Sequence, residues 1–282
     1  MTNPSESPRA YEDLQEFFLT VREWMDDNAV IPADIPRPAK GQPMSTELKT
    51  WAVQFRRKLV AMGWIAPDWP VEYGGGGLSK QHTEIIRREM GRRPLPTIQV
   101  SLMHTVALRM FASEEHKRTI LASILRGEVS AVHAFNERKH GSDIGSNETS
   151  AIRDGDDFLI TGQKDQITSL LPPDLIFCLA LTNPEAPPAK RFSLIAVDAK
   201  SPGIEIKAEN LLVPGREYKF FFTDAQVSKT QVIGEEGQGI EIAELMLGIE
   251  RGGIISIPLD VQQDVEQEEK KRTRQSIKIA TI

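Results

Sequence analysis

Helical spacing predicts an apolar setting for the carboxylate of Glu250. In the segment GIEIAELMLGIERGGII, Glu241, Glu244, Gly248 and Arg251 recur at i, i+3, i+7 and i+10 and form one polar stripe of a helix. Glu250 lies off that stripe, with Ala243, Met246, Leu247 and Ile254 at offsets of −7, −4, −3 and +4. A carboxylate among aliphatic neighbours loses hydration, which raises its pKa and suits it to abstract a proton near neutral pH. The same spacing also fits a carboxylate that pairs with a partner across an interface. A second candidate is NERKHGSDIGS, Asn136 to Ser146, too polar for a core strand and too rich in small residues for a helix. Its crowded backbone and hydroxyl donors would suit a bound anion or the edge of a ring.

Other motifs carry less. The run Gly74 to Gly77 fails both the G-x-x-x-x-G-K-[ST] pattern and G-x-G-x-x-G, because Ser79 occupies the third glycine position, so it reads as a flexible loop. The histidines, among them His82, His104, His133 and His140, show no i, i+4 pairing with a carboxylate between them, which predicts surface or satisfied core roles and no metal. The single cysteine, Cys178 in LIFCLALT, excludes a disulfide framework and reads as a small apolar side chain. With 34 Lys+Arg against 40 Asp+Glu and a net charge of −6, there is no basic excess to attract nucleic acid or anionic lipid. The N-terminal MTNPSESPRA lacks an apolar signal-peptide core and no run approaches the roughly 18 apolar residues of a membrane span, so the chain reads as cytoplasmic.

The elements that must position these residues follow from periodicity. Leu14, Phe17, Phe18, Val21, Trp24 and Met25 share one helical face, and Ser45 caps a second helix with Leu48, Trp51, Ala52, Phe55 and Leu59 on one side. Helices near 80–91, 98–112 and 114–126 complete an all-helical first portion. At about residue 129 the period changes to short runs rich in branched and aromatic residues: VSAVHAFN, ETSAIR, DFLITGQK, LIFCLALT, RFSLIAVDAK, GIEIKAENLL and EYKFFFTDAQV. Asp154-Gly155 predicts a tight hairpin turn between two of them. From Gly239 the period is helical again, and EQEEKKRTRQS reads as a solvated helix or frayed tail.

This order of segments, with GWIAPDWPVEYGGGGLS, the GSD at 141–143, RDGDDFLITGQK, the IT at 167–168, SPGIEI, FFTDAQV, IGEEGQG and the ER at 250–251, resembles the acyl-CoA dehydrogenase family over roughly residues 8 to 255. The resemblance implies an α+β fold: a helical N-terminal domain (1–127), a central β-barrel or sandwich (128–236), and the start of a C-terminal helical domain (237–282) that is truncated and ends in a charged tail. It implies FAD as cofactor, with His133, Phe135, Asn136, Gly141 and Ser142 under the flavin or at its phosphates, and Gln166, Ile167 and Thr168 as a second flavin segment. Ser142, Leu247 and Arg251 fall at substrate-binding positions, and Glu250 matches the catalytic base of the branch that places a glutamate directly before the pocket arginine. The chemistry implied is α,β-dehydrogenation of a fatty, steroid side-chain or related acyl-CoA, with reoxidation by an electron-transfer flavoprotein and assembly into homo- or hetero-oligomers with related subunits.

The chain departs from the family pattern at Asn136 and Arg138, where Thr and Pro are usual around Glu137, and at Gln166, where a Trp commonly stacks on the flavin. Two alternatives therefore stand beside the dehydrogenase: a non-catalytic or degenerate subunit of the same family, and a flavin monooxygenase on the same fold.

Overall fold

The computed structural model describes residues 14–38, 45–96, 102–169, 172–210 and 216–251. The start of the first helix before Leu14, and the expected tail beyond Arg251, lie outside the described residues. The helical portion comprises α1 (Leu14–Asn28), α2 (Thr46–Ala61), α3 (Lys80–Gly91), α4 (Leu102–Phe111), α5 (Glu114–His116) and α6 (Ala122–Leu125), the last two joined by a π turn over Lys117–Leu121. Ser45 caps α2 as its sequence position requires: the hydroxyl accepts the Leu48 amide at 3.1 Å. Phe17, Val21 and Met25 of α1 bury against Ala52, Phe55 and Leu59 of α2 and Ile86 of α3, so the apolar stripes read from the sequence are the ones that meet. Glu89 of α3 is buried in this unit and receives Arg92 at 2.8 Å.

The glycine run after Trp69 is not the flexible spacer expected of it. A Cβ on Gly75 would lie 2.2 Å from the Trp69 carbonyl oxygen and one on Gly76 2.3 Å from that of Gly63, so the chain folds back on itself where no side chain fits. The loop is a packed turn that carries the chain from α2 into α3.

The strands are β1 (Ala131–Ala134), β2 (Ser150–Asp154), β3 (Asp157–Ser169), β4 (Leu175–Leu181), β5 (Phe192–Asp198), β6 (Ile204–Asn210), β7 (Arg216–Ser228) and a short β8 (Val232–Ile233). They form one mixed sheet in the order β6-β7-β3-β2-β4-β5-β8, with β1 added in parallel alongside β4. The β2–β3 hairpin turns at Gly155-Asp156, one residue on from the expected pair and between the paired Asp154 and Asp157, and Gly155 takes φ +60° as a two-residue turn demands. The predicted barrel or sandwich is thus one mixed sheet whose strands share a core of their own.

Period-2 alternation divides β4 between two cores. Ile176, Cys178 and Ala180 face the sheet's own core with Val132, Ala134, Phe220 and Ala225, whereas Phe177 and Leu179 face a second core shared with the helices. Cys178 is fully buried and burial pushes its thiol up to about 11, so it acts as the small apolar residue read from the sequence. The second core also takes Ala107 and Leu108 of α4, and Ile242, Ala243 and Met246 of the last helix, α7 (Gly239–Glu250). α7 therefore packs on α4 and on the β4–β5 face. That wedge brings the end of α7 to β1.

Candidate active site

The two segments singled out as flavin-binding are joined directly. The Asp165 amide donates to the Asn136 carbonyl at 3.0 Å, which holds the loop after β1 against the bulge in β3. At that bulge Gln166 sits at φ 59° and is exposed, its amide bonded to the Asp165 carboxylate at 2.8 Å. Ile167 is buried in the sheet core, whereas Thr168 is exposed. Phe135 presents no side chain to a ligand: its ring lies in the helix-side core, and its carbonyl accepts Asn147 Nδ2 at 2.6 Å. Asn136 is half-buried, Ser142 is exposed, and Gly141, at φ +54°, has nothing within 4 Å of where a Cβ would stand.

Beneath this loop lies a buried ion pair that the sequence reading missed. Glu137 accepts Lys164 Nζ at 2.9 Å, and the amides of Glu148 and Thr149 at 2.8 and 2.9 Å. Lys164 is 0% exposed. Desolvation alone would raise the Glu137 carboxyl, but the Lys164 ammonium and the donated hydrogen bonds outweigh it and hold the group below its ordinary value. The pair ties β3 to the segment between β1 and β2, so it fixes the loop on which the exposed donors sit.

Glu250 is at the end of α7, and its Oε2 lies 3.9 Å from His133 Nε2 of β1. This is the nearest basic atom the structure sets against the carboxylate, on a strand of the middle sheet. The aliphatic shield is not found: Ala243 and Met246 are buried, but the Glu250 side chain is 48% exposed. The reason is positional. Residues at −4 and −7 point into the core beneath α7, whereas Glu250 occupies the last turn, at the edge of that core. Ile254 lies outside the described residues. Leu247 is half-buried, and Arg251 is exposed at the C-cap, its amide bonded to the Leu247 carbonyl at 3.0 Å.

His133 points to the helix side of β1. Its ring lies 4.9 Å from Phe135 and 5.5 Å from His104 of α4, centroid to centroid, and His104 is 5.2 Å from Phe177. Desolvation lowers the His133 pKa, and the Glu250 carboxylate works against that by favouring the protonated ring. His104 is 4% exposed, and neither ring nitrogen has a hydrogen-bond partner. The expectation of a satisfied core histidine fails there: burial, with His133 adding to it, drives the pKa down to about 3. His104 is thus neutral throughout the physiological range. Its signal in the sequence was its place on the apolar face of α4, three and four residues before Ala107 and Leu108.

A pH dependence of folding follows. Unfolded, His104 titrates near 6.5, and folded at about 3. Below pH 6.5 the unfolded chain therefore binds the extra proton, and stability falls with decreasing pH by up to about 1.4 kcal/mol per unit until it levels near pH 3. His104→Phe is expected to flatten that slope in urea titrations between pH 7 and 4; an unchanged slope assigns the acid sensitivity to other groups.

Among the described residues, no group of three or more His, Cys, Asp or Glu side chains could hold a metal ion, and no helix is long and apolar enough to cross a membrane.

Comparison with known proteins matches residues 12–128 to the acyl-CoA dehydrogenase N-terminal domain and residues 133–233 to the acyl-CoA dehydrogenase middle domain. The chain is 31% identical to the acyl-CoA dehydrogenase FadE29 of Mycobacterium tuberculosis over 199 residues, 69% of this chain and 51% of that protein. It is 27% identical to the acyl-CoA dehydrogenase IpdE1 of the same organism over 86% of this chain and 64% of that one. Among solved structures it is similar to a Tcur3481-Tcur3483 steroid ACAD variant, at 28% identity and a TM-score of 0.68, over 84% of this chain and 62% of that one. The chain therefore spans about half to two thirds of the length of the relatives it matches. Two adjacent domain models in the family's order, together with these relatives, lead to one conclusion: the chain belongs to the acyl-CoA dehydrogenase family, whose N-terminal and middle domains it carries.

Proposed function

We propose that this protein acts in the FAD-dependent α,β-dehydrogenation of an acyl-CoA thioester, with Glu250 as the base. The observation that carries this is a convergence: α7 delivers Glu250 to His133 on β1, and β1 runs straight into the loop whose Asn136 carbonyl is bonded to the Asp165–Gln166 bulge. A carboxylate and both proposed flavin segments thus share one face of the sheet.

The residues present fit a flavin in their donor set. Amide and hydroxyl groups at Asn136, Ser142 and Thr168, with the open approach at Gly141, suit a polar ring edge and a phosphate. Gln166 contributes an exposed amide in place of an aromatic wall, so the ring would rest on hydrogen bonds more than on stacking. When bound, FAD supplies the hydride acceptor. The chain's own part is to hold the thioester, with Leu247 and Arg251 on the acyl side and Ser142 toward the CoA phosphates, and to take the α-proton on Glu250. Because that carboxylate is open to water in the chain alone, the bound acyl-CoA must itself exclude solvent from the last turn of α7.

Relatives named as steroid ACADs support a bulky acyl group such as a steroid side chain. Reoxidation by an electron-transfer flavoprotein, a cytoplasmic location and assembly with related subunits complete the reading. The second reading, a non-catalytic acyl-CoA-binding subunit, is favoured by Gln166 at the bulge and by the exposure of Glu250.

The visible spectrum of the purified full chain, before and after anaerobic addition of acyl-CoA thioesters of graded bulk, decides between them. A flavin band that bleaches is expected. Acyl-CoA binding with no flavin band would favour the non-catalytic subunit.

A further inference from the structure

The approach of Glu250 to His133 is more than a contact at the edge of a site. A carboxylate that has taken an α-proton is spent until it loses that proton, and once a thioester covers the last turn of α7, the direct route from that carboxylate to water is closed. His133 Nε2 is the basic atom the structure sets against it, 3.9 Å from Glu250 Oε2, a gap closed by a small rotamer change or one bridging water. The imidazole is held in place for this. Phe135 and His104 flank it, Phe177 backs His104, and β1 is locked in parallel register with β4, His133 opposite Phe177.

The surrounding elements also settle which groups can carry charge there. α4 presents His104, which is buried and neutral; β4 presents Phe177; α7 presents Glu250. Among the described residues Glu250 is the charged group acting on His133. The ring is therefore neutral and ready to accept when the carboxylate is ionised, and becomes a stabilised cation once it has taken the proton and restored that carboxylate.

We propose that His133 is the proton acceptor that resets Glu250. After the carboxylate takes the α-proton, that proton passes from Glu250 Oε2 to His133 Nε2, leaving a carboxylate–imidazolium pair, and then leaves His133 for solvent; no electrons move in either step. His104 is a positioning residue, the uncharged wall that keeps the imidazole turned toward α7. The proposal rests on the dehydrogenase reading, in which Glu250 is the base.

The first test needs neither flavin nor substrate. The imidazole resonances of the full chain are titrated by NMR, with His133 assigned from the signal missing in His133→Phe. In Glu250→Gln the His133 midpoint is expected to move to lower pH, because the anion that favours the protonated ring is gone. An unmoved midpoint overturns the relay while leaving the dehydrogenase reading intact.

The second test is kinetic. In His133→Gln, which keeps a hydrogen-bonding side chain but cannot carry the proton, steady-state turnover with an external electron acceptor is expected to fall about tenfold further than single-turnover flavin bleaching. Added imidazole buffer should restore part of that difference. Equal losses in both assays would make His133 structural and end the proposal. A wild-type chain that never bleaches with acyl-CoA would instead overturn the dehydrogenase reading itself.

Discussion

Lys164→Met is expected to destabilise the protein by about 3–5 kcal/mol, read from equilibrium urea unfolding at pH 7. The substitution keeps the volume of the side chain and removes its charge. What it leaves behind is the Glu137 carboxylate, 7% exposed, with two backbone amides as its remaining partners. An anion so placed cannot recover its hydration, and the penalty of leaving one member of a buried pair exceeds what the pair itself contributes. Pairing a second change with the first sharpens the result. In Lys164→Met/Glu137→Gln no net charge stays buried, and the glutamine oxygen can still accept from one of the Glu148 and Thr149 amides, which bond different oxygens of the carboxylate. That double variant should recover to within about 1–2 kcal/mol of the parent.

The sign of the pH dependence agrees. Glu137 is held below its ordinary pKa, so its contribution is complete above the unfolded carboxyl value and disappears as pH falls through the folded one. Because the pair secures the loop bearing Asn136, Gly141 and Ser142, Lys164→Met should weaken flavin retention as well. A cost below about 1 kcal/mol would mean that water reaches Glu137 and that the pair does not anchor the loop.

The second large effect is at Glu250. Glu250→Gln is expected to slow acyl-CoA-dependent flavin bleaching by about 10²–10⁴-fold, equivalent to about 2.7–5.4 kcal/mol of transition-state stabilisation, while bound flavin is retained. The amide matches the carboxylate in shape but cannot take up a proton. The flavin is expected to stay because its proposed contacts come from β1, the following loop and β3, not from α7. Bleaching at the parent rate would move the base to another group, and loss of flavin would show that α7 belongs to the cofactor site.

Much of the framework was legible in the chain itself. The spacing of Phe17, Val21 and Met25 named the buried side of α1; Ser45 announced the start of α2; Asp154-Gly155 marked the hairpin; and Glu241, Glu244 and Arg251 are exposed as their stripe required. These are local consequences of 3.6- and 2-residue periods and of turn chemistry, which depend on neighbours a few positions away. The order of segments likewise pointed to the family before any coordinates did.

The site was less legible. The side chains of Phe135 and Ile167 turn inward to the two cores, which leaves their backbone groups as what they can offer a ligand, because alternation along a strand assigns faces and not occupants. The glycines after Trp69 are rigidly packed because Gly63 and Trp69 return to meet them, an encounter no local pattern records. Asn147 is buried and holds the Phe135 carbonyl, a contact that no local pattern records.

The sequence by itself determined which stretches are helix and strand, and that a carboxylate stands apart from the polar stripe of the last helix. Only the tertiary structure decided that Glu250 is open to solvent and set against His133, that His104 is buried without a partner behind it, and that Lys164 neutralises Glu137 from 27 positions along the chain. The physical reason is that a period fixes the direction in which a side chain leaves the backbone, whereas desolvation and ion pairing depend on which distant surface closes over it.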